Sequence, residues 1–206
     1  RVESVAGAQR LLAQGIVPVL VALQVEPIIK ALDPPVCAVI DARLAKHNID
    51  THIEQAPLVI GLGPGFSAGV DCHAVVETMR GHTLVRVIWQ GAALPNTGTP
   101  GIVAGKGAER VLRAPAAGVV TWQEEIGTAV SAGQLLGTVN GAAVTAPFGG
   151  VIRGLIAPGT AVRQGLKIGD VDARADRAAC FTISDKALAI GGGVLEALLA
   201  HLNGPK

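Results

Sequence analysis

The chain has 206 residues, half of them hydrophobic, and 17 Lys and Arg against 16 Asp and Glu give a formal net charge of +1. Charges of one sign form no long runs, tyrosine is absent, and Trp89, Trp122, Phe66, Phe148 and Phe181 lie scattered, which excludes the basic, aromatic-studded surface of a nucleic-acid binder. The apolar run over residues 16–25 is broken by Pro18 and Gln24 and falls short of the ~20 residues that span a bilayer. Cys37, Cys72 and Cys180 form no CxxC pair, so the composition predicts no membrane association and a reducing compartment, the cytoplasm.

The first ~110 residues alternate helical and strand patterns, as expected of an α/β, Rossmann-like layer with a parallel sheet. Residues 5–13 read as a helix closed by Gly15, residues 17–21 as a buried strand, and residues 27–32 as a short helix stopped by Asp33-Pro34-Pro35. A second strand is predicted over 36–40 and a third from Leu58, ending in Gly61-Leu62-Gly63-Pro64-Gly65. Next come a helix over 70–79, a strand over 84–89 and a loop over 94–101.

The pattern then changes. Residues 114–139 and 146–171 repeat with an offset of 32, sharing eleven identities that include Ala114-Pro115 with Ala146-Pro147 and Gly127-Thr128-Ala129-Val130 with Gly159-Thr160-Ala161-Val162. Two short-strand units that cannot each bury a face alone predict a pseudo-twofold, flattened β barrel of the biotinyl/lipoyl (hammerhead) type. Such carriers present a modified lysine on the hairpin joining the halves. Here Asn140-Gly141 makes a good type I′ turn, but no lysine lies between Arg113 and Arg163, so no biotin or lipoate can be attached. The segment then caps the α/β layer or docks a partner. Residues 180–183 read as a strand, and Ser184 as the N-cap of a final helix interrupted by Gly191-Gly192-Gly193. The expected domains are therefore 1–110, 111–172 and 173–206, the last packing back on the α/β layer.

Five groups could carry chemistry. Gly61, Gly63 and Gly65, placed between a strand and a helix, could cradle a phosphate, although the spacing is neither a dinucleotide fingerprint nor a P-loop, and an ordinary tight turn explains it equally. Asp41 and Arg43, with Lys46, follow a strand where α/β proteins bind ligands; a solvated ion pair is the alternative. Asp71, His73 and Glu77 come nearest to a metal group, but no third ligand is evident beside the His73–Glu77 pair, and no metal is expected. Asn96 and Thr97 sit in a glycine-flanked loop. Lys186, ahead of Gly191 and Gly192, heads the last helix, where those glycines would admit a ligand or a neighbouring helix.

The strings Ala56-Pro57-Leu58-Val59-Ile60-Gly61-Leu62-Gly63-Pro64-Gly65-Phe66, Pro95-Asn96-Thr97-Gly98 and Cys180-Phe181-Thr182-Ile183-Ser184-Asp185-Lys186 resemble the YqeB-like proteins. That resemblance covers nearly the whole chain. It implies an accessory or maturation factor for selenium-dependent molybdenum hydroxylases, with those enzymes as client partners and a phosphate-bearing small molecule, a molybdopterin-type cofactor or a nucleotide, as ligand. It also implies a further glycine-rich, Rossmann-like segment ahead of Arg1. Two alternatives stand beside it: a nucleotide-dependent transferase handling sulfur or selenium through Cys72 or Cys180, and a purely structural docking module. Oligomeric assembly is left open.

Overall fold

A computed structural model of the chain describes residues 1–22, 24–99 and 101–204; Pro100, within the expected 94–101 loop, lies outside them. The chain divides into two compact units, Arg1–Asn96 with Lys186–Lys206, and Thr97–Asp185.

In the first unit, helix α1 (Val5–Leu12) starts at Ser4, whose hydroxyl accepts the Gly7 N–H. It ends where Gly15, at φ +73°, lets its own N–H reach Leu12 and that of Ile16 reach Leu11, a glycine-terminated stop. Helix α2 (Glu26–Ala31) carries proline in its first turn. A mixed sheet follows, of strands β1 (Ala38–Asp41), β2 (Leu58–Leu62), β4 (Ala74–Val76) and β5 (Val87–Ile88) in that order. β1, β2 and β4 are parallel and β5 is antiparallel. A small ribbon of β3 (Ser67–Ala68) and β6 (Gly91–Ala92) lies beside them.

All five residues of β2 are buried. On one face Leu58, Ile60, Leu62, Ala74 and Val76 pack against Ile190 and Ala197 of the last helix, α3 (Asp185–Asn203). On the other face Val59 and Val75 meet Phe66, Ala68, Cys72 and Ala93. A buried parallel strand therefore reads as a continuous apolar run, as residues 58–60 do.

Several expectations are corrected. Residues 17–21 are not a strand: Val2 and Leu20 form a single bridge, and Val17, Val19 and Val21 are exposed. Pro18 withholds a donor, and no described strand pairs with the run. Residues 70–79 are not a helix. Gly69 turns the chain at φ +88°, the Asp71 carboxylate accepts the Ser67 N–H, and Ala74–Val76 pairs with β2; the β-branched, histidine-containing sequence favours this over a helix. The strand expected over 84–89 shrinks to two residues because Val85 takes a positive φ of 67°. Residues 180–183 form no strand, following instead a 3-10 turn at Ala178–Cys180, with Phe181 and Ile183 exposed.

α3 runs unbroken through its three glycines. A Cβ on Gly193 would lie 2.7 Å from the Val85 carbonyl oxygen and 2.9 Å from Val76, whereas Gly191 and Gly192 meet nothing within 4 Å. Only Gly193 serves close approach. Ala178–Asn203 also has the length and mean hydropathy, 1.3, of a membrane span by composition alone, which the expectation of no membrane association overlooked. Its Leu188, Leu195, Leu199 and Leu202 are exposed while Ile190 and Ala197 pack on the sheet.

The second unit contains the duplication. Two four-stranded antiparallel sheets are formed, one ordered β11 (Ala142–Thr145), β10 (Leu135–Val139), β8 (Gly118–Trp122), β13 (Ala161–Val162), the other β7 (Val111–Arg113), β14 (Lys167–Asp172), β12 (Gly150–Leu155), β9 (Ala129–Val130). Adding the repeat offset to each strand of the second sheet or subtracting it, as position requires, yields the first, so the two orders are the same. Each copy lends its two-residue strand to the other copy's sheet, β9 pairing with β12 and β13 with β8. Paired bonds follow the same exchange: the Gly127 N–H reaches Ile152 and that of Gly159 reaches Val120, while Gly133 reaches Ala146 and Gly165 reaches Ala114. Val120, Leu136, Val139, Ile152, Ile168 and Val171 make the shared core. The expected flattened barrel is thus two facing sets of strands, with no closed barrel among the described residues.

Because Gly193 alone of the three is enclosed, Gly193→Val should destabilise the first unit by about 1–3 kcal/mol through overpacking, while Gly191→Ala should stabilise α3 by about 0.5–1 kcal/mol. Denaturant unfolding of both variants measures the contrast; equal effects would refute the assignment.

Candidate functional site

The carboxyl ends of β1, β2 and β4 share one edge of the sheet, since the three strands are parallel, and α/β proteins place ligands there. Past β1, Asp41 is buried, its side chain only 5% exposed. Its carboxylate accepts the Arg43 N–H at 3.0 Å, the Arg43 Nη2 donor at 2.5 Å and the Thr51 hydroxyl at 2.7 Å. Arg43 also donates to Asp50 at 2.6 Å. Burial works against ionisation of Asp41, but the donors from Arg43 and Thr51 outweigh it and hold the carboxyl below its ordinary pKa. Hydrogen bonds to Asp41 and Asp50 raise that of Arg43. The Asn48 side chain bridges the Thr51 N–H and carbonyl, so residues 48–51 are a rigid polar loop.

Past β2 the glycines are occupied by the chain's own atoms. A Cβ on Gly61 would lie 2.6 Å or less from the Phe66 ring, one on Gly65 would lie 2.6 Å from the His47 backbone, and one on Gly63 would meet the Thr78 hydroxyl. The Gly63 N–H is bonded to the Val76 carbonyl. No helix follows this turn, so the expected union of glycine loop and helix N-terminus does not form here.

Past β4, Glu77 is buried, and its carboxylate accepts the Met79 N–H at 2.7 Å and the Leu94 N–H at 2.8 Å. This draws the chain leading to Asn96 to the same edge. α3 supplies a helix start there as well. Gly193 lies beside Val76 at the end of β4, and His201 is near enough to His73, before β4, for its charge to add to the burial that lowers the His73 pKa. The helix thus runs antiparallel to β4, and Lys186 stands roughly 10 Å beyond Gly193 in the carboxyl direction.

Asp41, Arg43 and the 61–65 glycines stand at the carboxyl ends of β1 and β2, while Asn96 follows the Leu94 tied to Glu77 and Lys186 lies in the first turn of α3. Gly191 and Gly192 face open space, and Thr97 belongs to the second unit. Asp71, His73 and Glu77 do not converge: Asp71 caps Ser67, the His73 Nδ1 accepts the Val59 N–H at the opposite end of the sheet, and Glu77 binds backbone. No group of three potential metal ligands exists among the described residues. Burial, with the Asp71 charge, pushes the Cys72 thiol up to about 11. Sequence reasoning missed Asp50, Thr51 and Thr78; the Asn48-x-x-Thr51 spacing, typical of a side-chain-capped turn, was the available signal.

The arrangement of Asp41 and Arg43 recurs in the second unit. Asp172 accepts the Arg174 N–H at 3.0 Å and its Nη2 donor at 2.5 Å, and Arg153 adds 2.8 Å. Hydrogen bonds from Arg174 hold Asp172 well below the usual carboxylate range. For both aspartates the folded pKa lies below the unfolded value of about 3.9, so each contributes stability above that pH and loses it as pH falls through the folded pKa. Unfolding followed by Trp89 emission in a Trp122→Phe background should therefore weaken below about pH 4, and Asp41→Asn should remove part of that slope. An unchanged slope would refute the role of Asp41.

No family model matches the chain. Over 198 residues, 95% of the chain, it is 48% identical to the protein named "Uncharacterized protein YqeB" of Escherichia coli (strain K12), and it spans 36% of that relative's length. Across the shared residues the chain is YqeB-like.

Proposed function

We propose that the chain is an accessory factor in the maturation of selenium-dependent molybdenum hydroxylases, and that its α/β unit holds a phosphate-bearing ligand, a molybdopterin-type cofactor or a nucleotide, at the carboxyl edge of β1, β2 and β4. The maturation role rests on the motif resemblance. The site rests on one observation: α3 starts at the edge where the parallel strands end. With the Gly63 N–H already bonded, the phosphate falls to the positive dipole end of α3, near Lys186 and Asn96. The second unit is read as a biotinyl/lipoyl-type module in which the Asn140-Gly141 tip carries no cofactor, at φ +48° and +81°, and which serves to dock the client hydroxylase. Transferase chemistry at Cys72 is disfavoured by the raised thiol pKa, since the thiolate is the nucleophile.

Titration of the protein with pyrophosphate and GMP should give saturable binding that weakens about tenfold, or 1.4 kcal/mol, in Lys186→Ala. Binding equal in the two proteins would overturn the site. In cells lacking the gene, the client hydroxylase should accumulate as polypeptide with reduced activity; full activity would overturn the maturation role.

A further inference from the structure

Helix α3 has two apolar faces, and the sheet covers one of them. Ile190, Gly193 and Ala197 are buried, with Ile190 and Ala197 packed in the core of Leu58, Ile60 and Val76. Leu188, Leu195, Leu199 and Leu202 are 48–67% exposed. In an α-helix these four positions fall within about 60° of one another, on the side opposite Ile190 and Ala197. Leu188, Leu195 and Leu202 are seven residues apart and Leu199 lies four beyond Leu195, the spacing of a helix-pairing seam. Gly191 and Gly192 flank the same stripe, where an added Cβ meets nothing within 4 Å. Single exposed leucines are ordinary, but a continuous stripe of them marks an interaction surface.

The stripe holds no charged residue, and the charged positions nearest to it on the helix, Asp185 and Glu196, are acidic. An anionic lipid surface, which calls for Lys and Arg beside the apolar face, is therefore a poor fit. A second copy of the stripe fits in one orientation. In a parallel pair Gly191 would face Gly191 and leave a gap, which is unfavourable. In an antiparallel pair centred on Leu195, Leu188 faces Leu202 of the second copy, and Gly191 faces Leu199 of the second copy, small against large. The two helix dipoles then oppose each other favourably. The 19 residues of α3 span roughly 28 Å. Two such stripes closed on each other hide on the order of 1,000 Å², the threshold of a specific interface.

We propose that the chain forms a two-fold dimer by antiparallel pairing of α3 with α3 of a second copy, centred on Leu195. Neither the ligand nor the maturation role proposed above enters this pairing. Within one chain only Gly193 is enclosed; Gly191 is the position that the second copy encloses. An interface of this size gives a dimer of micromolar affinity.

Sedimentation velocity of the intact chain across the micromolar range should show a reversible monomer–dimer equilibrium. Leu195→Glu sets two like charges at the axis and should weaken the dimer at least tenfold. Its unfolding midpoint, read where both proteins are monomeric, should stay that of the native chain, because the position is exposed. Leu188→Glu and Leu202→Lys should each weaken pairing. Combined in one chain they should pair more tightly than either alone, since each glutamate then meets a lysine of the second copy. A parallel pair would set like charge against like and show no such recovery, which overturns the proposal. So does a chain that stays monomeric throughout, or a dimer that Leu195→Glu leaves intact. A monomer that sediments with phosphatidylglycerol vesicles, and ceases to in Leu195→Glu, would assign the stripe to a lipid surface and overturn it as well.

Discussion

The burial of β2 between two parallel neighbours governs the first unit. A parallel strand in the middle of a sheet needs cover on both faces, and here each cover is admitted by one glycine. Phe66 folds back over β2 at Gly61, where any side chain would collide with its ring, and α3 lies down at Gly193 against the Val85 carbonyl. Both contacts bring apolar atoms within van der Waals range of the sheet, and interiors this dense tolerate little added volume. The same α3 contact fixes the direction of the helix, and with it the end of the sheet at which Lys186 stands. Packing and candidate chemistry are therefore set by a single docking event.

The second unit solves the burial problem by exchange. Each copy of the repeat contributes one short strand to the sheet of the other, so neither can complete its sheet alone, and the core of Val120, Val139, Ile152 and Val171 is shared in alternation. The copies diverge where register shifts. Gly137 opposes Trp122 in one, while a shift after Ile152 sets Gly169 against Leu155 in the other. The Trp122 ring uses its N–H on the Ile156 carbonyl of the opposite copy. The first copy ends in the Asn140-Gly141 hairpin; the equivalent place in the second, Asp172-Ala173, leaves the sheet instead, clamped by Arg153 and Arg174.

Much of this was legible in the sequence, for identifiable reasons. The duplication announced itself through glycines at fixed offsets, because turns with positive φ tolerate few other residues. α1, α2, α3, β1 and β2 were legible through caps, prolines and apolar runs. The segment 70–79 was not, since Val70, His73, Ala74 and Glu77 mimic helical spacing while the pairing that makes Ala74–Val76 a strand is non-local. Residues 17–21 have strand propensity without a described partner, and propensity alone does not form a strand. The 61–65 glycines illustrate a deeper ambiguity: glycine admits a phosphate and a phenyl ring for the same reason, so sequence cannot say which arrives.

Arg43 carries that ambiguity into the site itself. Read from sequence, an arginine past a strand suggests an anion; in the fold it is clamped by two carboxylates that leave its surroundings with no surplus positive charge. A phosphate gains little beside such a cluster, because its negative charge would meet Asp41 and Asp50 as well as the guanidinium. Arg43 therefore acts as a strut that holds the 48–51 loop against β1.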